Sequence, residues 1–370
     1  MAIISGGKAL RMQAKMPVIV NGDMAISQRS TSETGITAGS NGYHTVDRFR
    51  FNEGADPGAA FTMSQETLSS GNAYVNGFNY ALKMDCTTAD GSLGGDDFID
   101  IEQRIEKQDL VAFKKGTANA EKFTLAFWVK ATKTGTNIVE MQDQANDRAV
   151  SATYTINTTN TWEHKVVNFP ADTTGSFGND QSLGLILRWY LLAGANYQAA
   201  SLQTAWGGAA TNARANGQVN NGDNTSNNWH LTGVQLEIGE YDSTTIPPFQ
   251  HESNETNLDR CKRYFQRISR PTHGGNTVLA GVNSAVNNLA MVNLPVEMRA
   301  APSVSQTGSS ITLYSPDGGS NASASNPTLS AGTFGTNGGR FLWSRTGNIY
   351  AGFWVDLDNA NSFYNFDAEL

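Results

Sequence analysis

Phe123-Thr-Leu-Ala-Phe-Trp-Val-Lys130 alternates large apolar Phe123, Leu125, Phe127 and Val129 with Thr124, Ala126 and Trp128. Successive side chains of a strand point to opposite faces, so this two-residue period is that of a half-buried strand with its odd positions toward the core. The pattern recurs in Val150–Asn157, Trp162–Phe169, Leu183–Leu192 and Trp229–Ile238, with Gly-, Asn- and Thr-rich gaps between them. Strand-sized segments joined by turn-forming residues predict an all-β fold, an antiparallel β-sandwich, in place of a parallel α/β sheet.

Composition bounds the rest. The chain has 370 residues, of which 39% are hydrophobic, 16% charged and 37 are Gly. That length exceeds what one sandwich usually needs, so two domains are expected. No apolar run approaches the roughly 20 residues that would span a bilayer as a helix, and membrane insertion is not expected. A net charge of −8 argues against a phosphate-tracking surface, which would be rich in Lys and Arg, so nucleic acid is not an expected partner. Cys86 and Cys261 lie far apart in unlike contexts and are expected as two free, buried thiols. The opening Met1-Ala-Ile-Ile-Ser-Gly-Gly7 has no basic segment followed by a sustained apolar stretch, so no signal peptide is expected.

Residues 1–17 carry Lys8, Arg11 and Lys15 with few strand formers and read as an N-terminal arm, either frayed or docked to another chain. Pro17-Val-Ile-Val-Asn-Gly22 then reads as the start of a strand, and the sandwich is expected over 18–250. The exception to the two-residue period is Asn254–Ile268, where Leu258, Cys261, Tyr264, Phe265 and Ile268 fall at three- and four-residue steps. This spacing predicts an amphipathic helix, capped by Asn254 or Thr256 with Glu255 in its first turn, as the linker over 251–271. Pro247-Pro248 and Arg270-Pro271 bracket it. A smaller β domain is expected over 272–370, with a long loop from Ser315 to Asn337 and a final segment, Phe363–Leu370, that either completes a sheet or frays.

The residues carry no recognised catalytic constellation. His44, His164, His230, His251 and His273 lack metal-binding spacing, and nucleophile-elbow, phosphate-loop and dinucleotide-binding motifs are absent. Asp96, Asp97, Asp100 and Glu102 form the densest acidic cluster. Paired carboxylates can hydrolyse glycosides, but this cluster reads as a solvated strand end beside Gly94-Gly95, or as a cation ligand set, and no enzyme is expected. For saccharide binding the useful parts are exposed aromatic rings beside amides and carboxylates. Tyr197, Trp206, Asn212, Asn216, Asn220 and Asp223 meet that description in a loop read as exposed. Trp128 and Trp162 read as core, and of the adjacent pair Trp189 and Tyr190 one is expected to face outward. Trp343, Tyr350, Phe353 and Trp354 read as a second surface or an intersubunit seam.

Several segments resemble, in order and spacing, a widespread family of phage tail-fibre and virion structural proteins: Asn21-Gly-Asp-Met-Ala-Ile-Ser-Gln-Arg29, Tyr43-His-Thr-Val-Asp-Arg-Phe-Arg50, Gln103-Arg-Ile-Glu106, Phe127-Trp-Val-Lys130, Trp162-Glu-His-Lys165, Trp229–Gly239 and Cys261-Lys-Arg-Tyr-Phe-Gln-Arg267. Leu294–Pro302 is similar to a segment that often follows. The resemblance implies a jelly-roll domain similar to carbohydrate-binding modules. It also implies location in the virion, attachment to other virion proteins through the arm, and a homotrimer that binds a host surface glycan as a tail fibre or receptor-binding component. The same likeness is compatible with a purely architectural virion protein, such as a capsid decoration or spike, and with a polysaccharide-degrading tail enzyme. In the modules a structural calcium is often held near the paired termini. Asp23 matches one ligand position, but Thr232-Gly233 stands where the modules tend to carry aspartate. No other cofactor is implied.

Overall fold

The computed structural model describes residues 3–5, 8–10, 17–269, 280–283, 287–307, 311–314, 322–324, 334–344, 353–357 and 363–370. The side chains of Trp343, Phe353 and Trp354, all of Tyr350 and His273, and most of the segment read as a long loop lie outside these residues. Of the stretch read as an arm, the hairpin of β1 (Ile3–Ser5) and β2 (Lys8–Leu10) is described, together with Pro17.

The sandwich is built from β3 (Ser32–Ile36), β4 (Arg50–Gly54), β5 (Ala60–Thr67), β6 (Tyr80–Thr88), β7 (Phe98–Glu106), β8 (Phe123–Ala131), β9 (Gly135–Asp143), β10 (Arg148–Ile156), β11 (Glu163–Phe169), β12 (Leu183–Ala193), β13 (Gly207–Gly208) and β14 (Asn228–Ile238), with a short helix α1 (Gly71–Val75) between β5 and β6. One six-stranded sheet runs β13-β10-β9-β12-β7-β4 and the other β11-β8-β14-β6-β5-β3. Their ladders are antiparallel, and the chain passes back and forth between the sheets as in a jelly roll. The alternation in Phe123–Lys130 is the reason: Phe123, Leu125, Phe127 and Val129 are fully buried in the core between the sheets. Phe51, Ile101, Trp189, Val139 and Val150 meet them from the opposite sheet. Cys86 and Cys261 are free and buried.

Pro17–Gly22 forms no strand, contrary to its composition. The Gln103 side chain takes its place as partner: its Oε1 accepts from Val20 N and its Nε2 donates to Val20 O, so the ladder groups of this segment are already used. Val234 N then donates to Gly22 O, and a side chain at Gly22 would run into Val234 O. Opposite, β14 carries a bulge between Thr232 and Gln235. Gly233 stands there with φ +62°, and a Cβ would meet Phe78 and Trp128 at 2.7 and 2.9 Å. Only glycine satisfies both the left-handed backbone and the close approach.

Helix α2 covers Asn254–Lys262 and is shorter than its periodicity suggested. Ser253, not Asn254 or Thr256, caps it by accepting from Thr256 N at 3.2 Å. Phe265–Ile268, read as the end of the helix, instead belongs to β15 (Phe265–Ser269), paired with β24 (Phe363–Asp367). Tyr264-Phe-Gln-Arg-Ile268 suits a strand as well as a helix face, and an available partner edge decides between them. Between β15 and β24 the chain forms β16 (Ala280–Asn283), β17 (Asn287–Asn293), β18 (Ser303–Thr307), β19 (Ile311–Tyr314), β20 (Ala322–Ala324), β21 (Phe334–Gly335), β22 (Gly338–Ser344) and β23 (Phe353–Leu357). They make a three-stranded sheet, β15-β24-β18, and a seven-stranded one, β20-β19-β23-β16-β17-β22-β21.

The final segment completes the small sheet and also closes onto the sandwich. Buried Arg48 pairs with Glu369 and lies 3.5 Å from the centre of the Tyr264 ring. Arg29 pairs with Asp367 at 3.0 Å and stacks 3.7 Å from the Phe265 ring centre. Arg299 donates to Ala368 O and Glu369 O, and Arg104 to Leu370 O.

Candidate binding face

The outer face of the β4-β7-β12-β9 sheet carries a continuous row of opposite charges. Each odd residue of Phe98-Ile-Asp-Ile-Glu-Gln-Arg-Ile-Glu106 turns inward, which leaves Asp100, Glu102 and Arg104 together on the outer face. Register extends the row across the sheet: Arg50 lies opposite Glu102, Glu102 opposite Arg188, and Arg188 opposite Glu140. Directly opposed residues of antiparallel strands are the closest side-chain neighbours in a sheet, so the row alternates in sign by construction. Arg214, from the loop between β13 and β14, extends it by gripping Glu140 with Nε at 2.6 Å and with Nη2. Arg50 Nη1 donates to Glu102 Oε1 at 2.8 Å, Arg104 Nε to the same oxygen at 2.7 Å, and Arg188 Nε to Oε2 at 3.1 Å.

The depth of these groups is uneven. Glu102 and Glu140 are fully buried, whereas the side chains of Arg50, Arg104, Arg188 and Arg214 remain 10–21% exposed. The arginine side chains therefore keep a small exposed surface over carboxylates that keep none, Arg188 being the most enclosed of the four. Burial alone would raise the Glu102 pKa, but Arg188, Arg104 and Arg50 hold it below the usual range. Asp100 has weaker partners: its burial, reinforced by Glu102 and opposed by Arg188, pushes it up to about 7. Asn52 Nδ2 donates to its Oδ2 at 3.1 Å, while its Oδ1 is buried without a partner. Two carboxylates on one strand face thus titrate in opposite directions because three cations converge on one of them.

The loop read as exposed instead packs on the β9–β10 side of this face. Ala213, Ala215, Gln218, Asn221 and Asn227 are buried in it. Gln218 and Asn221 both donate to Asn137 Oδ1, and Ser151 Oγ donates to Arg214 O. Tyr197 edges the face: half-buried, it lies 5.0 Å from the Phe98 ring, and burial raises its hydroxyl pKa, with Arg214 and Arg188 opposing and Asp96 and Asp100 reinforcing the rise. Trp206 does not share this edge. Its Nε1 donates to Pro170 O at 2.9 Å and its ring packs on the core beneath buried Lys115, which is held by Asp143 and Asp172.

Asn212 is exposed, and its main-chain oxygen accepts from Ala200 N. Asn216 Nδ2 is taken by Gln198 O and Ala200 O, and Asn220 Nδ2 by Asp90 O. Asp223 pairs with Lys133. These polar groups brace the loop, so of the six loop residues singled out by sequence Tyr197 alone borders the charged row.

Two further expectations are corrected. Asp100 and Glu102 are not at a solvated strand end, because cross-strand arginines cover them. Neither member of the Trp189–Tyr190 pair reaches solvent: Trp189 fills the core, and Tyr190, although on the outer face, is covered in a cluster with Ile138, Ala193 and Ala215. Asp23 Oδ1 accepts from Asn257 Nδ2 at 3.0 Å, and no group of three or more His, Cys, Asp or Glu placed to hold a metal occurs among the described residues. Of the missed residues, Arg188 and Glu140 had a sequence signal, a charge within a largely apolar run, whereas Arg50, in the polar strand Arg50–Gly54, and Arg214, in a loop, had none.

No family model matches the chain, and no curated protein does. Among solved structures it is similar to an enzymatically active domain of tailspike protein 4 from bacteriophage CBA120, at 12% identity and TM-score 0.31, covering 60% of this chain and 21% of that one. The chain thus spans about a fifth of that tailspike domain. It is also similar to TmCBM61 in complex with beta-1,4-galactotriose, at 9% identity and TM-score 0.27, covering 60% and 99%. The family 11 carbohydrate-binding module of a Clostridium thermocellum cellulosomal cellulase matches at 7% identity and TM-score 0.27, covering 58% and 99%. At these TM-scores none of the three bears on function.

Proposed function

We propose that this chain is a non-catalytic virion protein of the tail-fibre kind that holds a host surface glycan on the outer face of its first sheet. The observation that carries the reading is the Arg50–Glu102–Arg188–Glu140–Arg214 row, flanked by Tyr197. Fixed guanidinium donors beside an aromatic edge are what a saccharide's oxygens and apolar ring face require. Their preorganisation by buried carboxylates lowers the ordering cost of binding. The virion setting rests on the ordered segments from Asn21 to Arg267. Absence of catalysis is supported by the depth of Asp100 and Glu102: a general acid must reach the glycosidic oxygen, and neither carboxylate has exposed surface.

The test combines retention of the purified chain on host cells and a glycan array with an assay for reducing ends released from host polysaccharide. Retention without reducing ends is expected. Released reducing ends would replace the reading by a polysaccharide-degrading one, and failure of both assays would leave an architectural virion protein.

A further inference from the structure

Resting on that reading, we infer that the face selects acidic saccharides, binding the carboxylate of a uronic or sialic acid with the outer N–H groups of Arg50, Arg188 and Arg214. The geometry separates donors from acceptors. Glu102 and Glu140 are consumed and buried, so an incoming sugar meets few acceptors for its own hydroxyls. Arg50 Nη2, Arg188 Nη2 and Arg214 Nη1 have no hydrogen-bond partner among the described residues, and none is a buried orphan. These N–H edges therefore open to solvent. A guanidinium edge matches a carboxylate in shape and charge far better than it matches a neutral hydroxyl.

Charge points the same way. Arg50, Arg104, Arg188 and Arg214 stand over Asp100, Glu102 and Glu140, with exposed Asp96 close enough to act on Tyr197, on a chain whose net charge is −8. The face is thus balanced in charge on an acidic molecule, and three of its carboxylates, Asp100, Glu102 and Glu140, lie beneath its cations. A polyanion would meet those cations first at this patch and be repelled by most of the remaining surface. Tyr197, beside Arg214, supplies a ring edge that a charged group alone would not use, which favours a sugar over other polyanions.

Binding of the full chain would be measured by titration calorimetry against polygalacturonate, polysialic acid, fully methyl-esterified polygalacturonate and polyaspartate. At least one carboxylated polysaccharide is expected to bind, the ester at least about tenfold more weakly and polyaspartate more weakly still. Arg50→Gln leaves Glu102 paired with Arg104 and Arg188, and Arg214→Lys keeps a cation beside buried Glu140 while removing the guanidinium fork. Each is expected to keep its thermal transition and to lose about tenfold in affinity or more. Equal binding of the ester, equal binding of polyaspartate, or unchanged affinity in both folded variants would overturn the inference. If host cells retain the chain while neither acidic polysaccharide binds, selectivity for acidic sugars fails and the glycan-binding reading stands. If cells do not retain it either, both fall.

Discussion

At the scale of single residues, Asp100 sets a pH dependence with a definite sign. Its folded pKa, about 7, lies above the ordinary aspartate value of 3.8, so the folded state holds the proton more tightly than the unfolded one. Its contribution is therefore fully favourable below about pH 4 and is lost as pH rises toward the folded pKa. Asp100→Asn lacks that loss. Its stability relative to the parent should rise between pH 4.5 and pH 8 by on the order of 2–4 kcal/mol in denaturant unfolding, and parallel pH profiles would disprove the assignment. Placement of Asp100 and Glu102 on one face was legible from their spacing of two. Their burial was not, because Arg50, Arg188 and Glu140 come from distant segments and meet them only through sheet register. Trp206 shows the converse: composition marked its loop as open, whereas Pro170 O and the Lys115 cluster hold the indole against the core.

Among elements, β14 and α2 mark the two limits of pattern reading. The alternation in β14 identified the strand, yet the bulge at Gly233 follows from the approach of Phe78 and Trp128, which no local pattern encodes. Gly233→Ala forces a left-handed backbone on alanine and drives its methyl into both rings. A loss of about 2–3 kcal/mol is expected, read as a lower denaturation midpoint with unchanged slope. In α2 the periodicity was real up to Lys262 and misleading beyond it, since β24 offers Phe265–Ser269 a ladder. Ser253→Ala removes the cap oxygen and should cost about 1 kcal/mol, whereas alanine at Asn254 should leave the cap bond intact.

For the whole molecule, the all-β class, the sandwich and the change of architecture after α2 could be read from period and composition. The way the parts are tied could not. The tie is ionic and long-range: Arg29 and Arg48 reach Asp367 and Glu369, while Arg299 and Arg104 bind main-chain oxygens of residues 368–370. Glu369→Gln leaves the fully buried Arg48 guanidinium without its countercharge. Losing one partner of such a pair costs about 3–5 kcal/mol, so a drop of many degrees in the thermal midpoint of the sandwich is expected. A drop confined to a separate C-terminal transition would contradict this coupling.

The Arg48–Glu369 pair spans 321 positions of the chain, and this has a consequence for the order of events during synthesis. A ribosome that has made all the strands of the jelly roll has not yet delivered Glu369, so Arg48 waits in a nascent sandwich without its anion. Sealing that edge is postponed until translation has passed Leu370. A chain stalled earlier keeps an unneutralised cation beside an open seam. The same pair thus separates copies that have reached Glu369 from those that have not.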